Sequence, residues 1–141
     1  MLFGKREHRV SRLLVVEDEP LVAFDNEHLL RDAGYEVIAT VDGVAAAIDV
    51  INAQPLDLVL VDIALSDGGS GIDVAQAARD RGVAVLFVTG NCPPESGALA
   101  IGCLAKPYTQ RDLRGALEAI ESRLRGEPVK RKPRALTLYP V

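Results

Sequence analysis

A chain of 141 residues with 48% apolar and 26% charged residues is ordinary for one globular domain and long enough to bury a core without staples. Its net charge of −4 conceals an acidic middle: residues 13–122 hold six basic and eighteen acidic residues, and the two ends hold the other ten basic ones. Such a middle repels nucleic acid and attracts divalent cations. No apolar run nears the roughly 18 residues of a membrane span, and the basic start MLFGKREHRV lacks the apolar stretch of a secretory signal, so a cytoplasmic protein with no membrane partner is expected.

In chain order, short apolar runs alternate with helical patterns. The spacing predicts a strand over 13–16 and a helix over 20–33, with Pro20 in its first turn and Gly34 as its stop. A second strand follows over 35–40 and an Ala- and Ile-rich helix over 44–53. The third strand, 57–61 (DLVLV), is apolar enough to be covered on both faces and ends in Asp62. A polar Gly-rich loop, 66–71, leads to a helix over 72–81 that stops at Gly82. The fourth strand, 83–88, ends in Thr89. The stretch 93–101 is a weak helix at best, with Pro-Pro at its start and Gly97 inside. A short fifth strand, 103–105, ends in Lys106-Pro107, and Thr109 with Asp112 resembles a capping box for a last helix reaching residue 125.

Five βα units in succession imply an α/β fold, a parallel sheet covered on both faces. The expected architecture is the flavodoxin-like doubly wound sandwich with strand order 2-1-3-4-5. The chain divides into a basic N-terminal segment, 1–11, one domain, 12–125, and a basic, Pro-containing tail, 126–141, too short for an effector domain. The tail is expected to be disordered; the alternative is that 135–139 forms an extra strand or docks on a partner.

Ligands of open parallel sheets bind at the carboxyl ends of the strands. Here those ends carry Glu17 and Asp18, then Asp62, then Thr89, then Lys106. In the expected order they are neighbours about 4.8 Å apart and share one crevice. Three carboxylates together stay ionised only beside a cation, and carboxylate oxygens with a carbonyl and waters are the set Mg²⁺ prefers. Glu17, Asp18 and Asp62 supply the carboxylates and the backbone of Ala64 the carbonyl. Lys106 brings a positive charge and Thr89 a hydroxyl. A carboxylate nucleophile with cation and hydroxyl support is the equipment of phosphoryl transfer, so Asp62 is the expected phosphoacceptor.

Over 12–125 the chain resembles the receiver domains of two-component response regulators, on Glu17-Asp18 in VVEDEP, Asp62 in LVLVD, Thr89 in FVTG and Lys106-Pro107 in AKPY. The resemblance implies phosphotransfer from a histidine kinase or phosphotransfer protein, a Mg²⁺ requirement, and a cis peptide before Pro107. With no effector domain expected, output passes through a partner protein, or the phosphoryl group is handed on; the oligomeric state stays open, receiver homodimers often being built on the last two helices and strand 5. Two features depart from the family. Cys103 stands where most members carry the Tyr or Phe of the switch, and Ser66 and Ser70 stand where a Pro and a Gly are common. The FVTG stretch and the missing aromatic partly resemble the FAT GUY subgroup of single-domain regulators.

The alternative is a degenerate receiver, a phosphorylation-independent interaction module. An enzyme is not expected: a haloacid-dehalogenase-type phosphatase needs Asp-x-Asp after the first strand, where this chain has Asp18-Glu19-Pro20, and EDEP repels the phosphate of a nucleotide or flavin. Direct nucleic-acid binding would need a further motif. His8 and His28 are read as solvated, Cys92 as an inert small side chain, and Tyr108 as either a partner anchor or packing.

Overall fold

The structure, a computed structural model, describes residues 10–65, 69–94 and 99–140. Most of the N-terminal segment with His8, position 66, and residues 95–98 therefore lie outside the described residues. Six strands form one sheet: β1 (Arg12–Val16), β2 (Glu36–Val41), β3 (Leu58–Asp62), β4 (Ala84–Thr89), β5 (Gly102–Ala105) and β6 (Leu136–Leu138). Among the described residues four helices accompany them: α1 (Pro20–Asp32), α2 (Val44–Ala53), α3 (Gly71–Asp80) and α4 (Gln110–Leu124). The order is β2-β1-β3-β4-β5-β6, so the expected 2-1-3-4-5 is present with one strand added at the edge. β1 to β5 run parallel and β6 antiparallel.

The two-residue period of the strands sorts the core into two layers. Leu13, Val15, Leu58, Leu60, Leu86, Val88 and Leu104 face one side, against Leu30 of α1 and Leu113, Leu117 and Ile120 of α4. Leu14, Val16, Val59, Val61, Val85, Phe87 and Cys103 face the other, against Ala47 and Ile51 of α2 and Val74, Ala75 and Ala78 of α3. Both faces of the central strands are thereby sealed, which is why those strands read as unbroken apolar runs.

The local signals are obeyed where they are backbone signals. Pro20 opens α1, and Gly34 after it has φ +97°, a conformation that suits glycine. The Thr109–Asp112 capping box is formed at α4. Asp57 falls outside β3 because its carboxylate accepts from the peptide N–H groups of Ser11 and Arg12, tying the start of β1. Asp62 is itself the last residue of its strand.

Three expectations are corrected. Among the described residues of 93–101 there is no helix, in keeping with Pro93-Pro94. The tail does not trail off: β6 pairs with β5 in the register Gly102↔Leu138, Cys103↔Thr137, Leu104↔Leu136. Leu136 and Tyr139 are buried, one in each core layer, so the tail adds apolar cover on both sides of the sheet edge. And Cys92 is not an inert side chain: it is disulfide-bonded to Cys103, with the Cα atoms 5.9 Å apart. Parallel pairing sets Cys103 beside Phe87, and the loop after β4 folds back far enough to bring Cys92 within bonding reach.

Candidate functional site

The carboxyl ends of β1, β3 and β5 converge. Carboxylate oxygens of Glu17, Asp18 and Asp62 all lie within 4.8 Å of one another. The Lys106 ammonium closes the group: its Nζ is 2.8 Å from Asp62 Oδ2, 3.5 Å from Glu17 Oε1 and 3.6 Å from Glu19 Oε1. Glu17 and Asp62 are buried, Asp18 is half-buried and Glu19 exposed. The three expected carboxylates and Lys106 are thus together, with Glu19 as an unforeseen outer member.

Backbone bonds fix these side chains. Glu17 N–H donates to Val41 O at 2.9 Å, and the Glu17 carboxylate accepts from Glu19 N–H at 3.1 Å. Asp62 Oδ1 accepts from Ala64 N–H at 3.0 Å, so the first loop residues fold over the aspartate. Lys106 N–H donates to Thr89 O at 2.8 Å, and the Lys106–Pro107 peptide is cis. Thr89 lies at the same end of the sheet, half-buried, and its hydroxyl oxygen takes the N–H of Asn91 at 3.4 Å.

The electrostatics follow from crowding. Burial raises the Glu17 carboxyl above the usual range, and the neighbouring Asp62 charge adds to this; the Glu19 N–H and the Lys106 charge oppose it. For Lys106 burial works against the ammonium, but the hydrogen bond to Asp62 and the charges of Glu17, Asp62 and Glu19 outweigh it and raise its pKa. The site therefore holds more negative charge than one ammonium balances, the condition in which a divalent cation fits.

Two supports escape sequence inspection. Asn26 of α1, buried, donates to the Tyr108 hydroxyl at 2.9 Å. That bond pins the segment carrying Lys106 to α1. Burial raises the Tyr108 phenol, against the Asn26 bond. Beside it a groove of about 430 Å³ is lined by Val22, Asn26, Lys106, Pro107 and Tyr108 among others. Leu21 and Phe24, exposed at 80% and 62%, stand on the same helix. The other support is Gly71 at the start of α3: a Cβ there would lie 2.4 Å from Asp62 O. His28 is exposed on α1, its ring centroid 5.1 Å from that of Phe24.

A doubly wound parallel sheet with an acidic cluster at β1 and β3 and a lysine after β5 defines the class of CheY-like signalling domains. The family model for the response regulator receiver domain matches residues 13–118, and the chain belongs to that family. It is 30% identical over 122 residues to the transcriptional regulatory protein PdtaR of Mycobacterium tuberculosis, covering 81% of this chain and 58% of PdtaR. It is 36% identical over 81 residues to the phyllosphere-induced regulator PhyR of Methylorubrum extorquens, covering 56% and 30%. A CheY-like receiver domain from Methanospirillum hungatei superposes with TM-score 0.70 at 29% identity, covering 83% of this chain and 95% of that one. The chain thus spans about a third to just over half of the length of these two curated relatives. Among the described residues, no helix is long and apolar enough to cross a membrane.

Proposed function

We propose that Asp62 accepts a phosphoryl group from a histidine kinase or phosphotransfer protein, and that the chain signals by the surface this alters. The observation that carries the reading is the 2.8 Å pair of Lys106 Nζ with Asp62 Oδ2 inside the three-carboxylate cluster. An Asp62 oxygen forms the new P–O bond as the P–N bond of a phosphohistidine breaks, the imidazole nitrogen leaving with the electron pair. Lys106, already beside Asp62, then pairs with a phosphoryl oxygen, and the Thr89 hydroxyl donates to another. The Ala64 N–H holds the aspartate in place. Glu17, Asp18, Asp62 and the Ala64 carbonyl are the residues that would hold Mg²⁺, whose charge neutralises phosphoryl oxygens when bound. Lysine and cation answer the repulsion that otherwise keeps an anionic donor away.

The groove beside Lys106, with the exposed Leu21 and Phe24, supports α1 and the β5–α4 connection as the face that receives the donor. Residues 12–125 are the receiver, with β6 as an addition to its sheet. The test is intact-protein mass after incubation with a small phosphodonor and Mg²⁺, with Asp62→Asn and EDTA arms. One phosphoryl group that needs both Asp62 and the metal is expected; an adduct that survives Asp62→Asn would overturn the assignment. A second reading, a phosphorylation-independent interaction module, is favoured by the disulfide that occupies the usual place of the switch aromatic. It predicts no adduct from any donor.

A further inference from the structure

We propose that Tyr139 couples the loop after Thr89 to the docking of β6, so that phosphorylation of Asp62 releases β6 and opens the edge of β5 to an extended strand of a partner protein. This rests on the reading of Asp62 given above. Tyr139 is 4% exposed and packs in the core layer that holds Phe87, Ala100 and Cys103. Its hydroxyl donates to the carbonyl oxygen of Pro93, in the loop that follows β4. Its own N–H donates to Ile101 O at 3.0 Å, and its carbonyl accepts from Arg123 at 2.8 Å. One residue of the tail therefore grips the β4–β5 loop, β5 and α4 together.

The same loop begins at the site. The Asn91 N–H is bonded to the Thr89 hydroxyl oxygen. Cys92, the next residue, is bonded to Cys103, which lies opposite Thr137 of β6. Rotation of Thr89 toward a phosphoryl group withdraws the acceptor of Asn91. The change reaches Pro93, the acceptor of Tyr139, through the one intervening residue, Cys92, whose backbone turns about its side-chain bond to Cys103. The position at which most family members carry a switch aromatic is filled here by Cys103, and Tyr139 of the tail brings a ring to the same core layer.

β6 is suited to leaving. It has three residues, and its outer bonds are the Tyr139 N–H to Ile101 O and the Ala105 N–H to Ala135 O. Its departure exposes those N–H and C=O groups of Gly102–Ala105 that face away from β4, the Ala105 N–H among them, a template for an incoming strand. The incoming segment would place apolar residues where Leu136 and Leu138 sit and an aromatic where Tyr139 sits.

Amide hydrogen exchange on the full chain, beside its intact mass, tests this. In the phosphorylated protein, exchange at residues 136–139 and at Ala105 is expected to rise by about tenfold or more, as local opening permits. A fluorescent synthetic peptide with the sequence of residues 134–140 should bind the phosphorylated protein and not the unmodified one. Tyr139→Phe, which keeps the ring, should raise exchange at 136–139 and at the Asn91 and Cys92 amides in the unmodified protein. A phosphoryl adduct with unchanged exchange at 136–139 overturns the coupling and leaves Asp62 as acceptor. Failure to form any adduct overturns the phosphoacceptor reading, and the coupling with it.

Discussion

A methyl group at position 71 would lie 2.4 Å from the carbonyl oxygen of Asp62 and 2.8 Å from the Cα of Ile63. Neither atom can swing aside, because both are backbone at the end of a buried strand, and Gly71 N–H is bonded to Ile63 O at 2.7 Å. Gly71→Ala is therefore expected to destabilise by about 1–3 kcal/mol, as overpacking does, and to slow labelling of Asp62 by a small phosphodonor at matched folded concentration. Urea unfolding and the labelling time course check the two halves. The site itself was legible at this scale: Glu17, Asp18, Asp62, Thr89 and Lys106 each close a strand, and strand ends converge in a parallel sheet. Gly71 was not, because the glycine common in the family falls at position 70, where this chain has Ser70. Ser70 is instead the N-cap of α3, its Oγ accepting from Ile72 N–H at 3.0 Å. The Asn26–Tyr108 bond was also invisible, since it spans 82 residues and neither partner belongs to a local motif.

Elements were legible in proportion to how locally they are specified. In α4, Thr109 Oγ1 accepts from Asp112 N–H and the Asp112 carboxylate accepts from Thr109 N–H, both at 3.0 Å. These bonds join four consecutive residues, so the sequence alone announces them. Thr109→Ala is expected to cost about 1 kcal/mol and Thr109→Ser much less, measured by chemical denaturation. The cap matters to the site because it lies three residues after Lys106. By contrast, β6 sits in a proline- and lysine-rich stretch whose propensity argues for no structure. What makes it a strand is burial of Leu136 and Tyr139 against elements far away in sequence. Tertiary packing overrides composition there.

At the scale of the molecule, the sheet order followed from the rhythm of apolar strands and helices, and the cross-link did not. Two cysteines eleven apart carry no pairing signal by themselves; only the parallel placement of β4 and β5 and the return of the loop between them bring the sulfurs together. Closing a loop of that length restricts the unfolded chain by about 3 kcal/mol in the chain-entropy view. Reduction with a phosphine, or Cys92→Ser, should therefore lower the urea midpoint by a corresponding amount, with thiol alkylation and mass confirming the redox state. An unchanged midpoint on full reduction would show that the loop is held by packing alone.

The added strand also decides how the sheet ends. β6 is three residues long, with Pro133 before it and Pro140 after it, and neither proline has an N–H to offer. The Lys132 ammonium already occupies the Leu136 carbonyl at 2.8 Å. A second copy arriving at this border finds few vacant donors and acceptors and a charged side chain across them, the arrangement by which natural sheets avoid edge-to-edge stacking. The opposite border, β2, offers six residues, Glu36–Val41. The closed fold is thus one-sided as a template for polymerisation: fibrous growth by strand addition would have to start from β2.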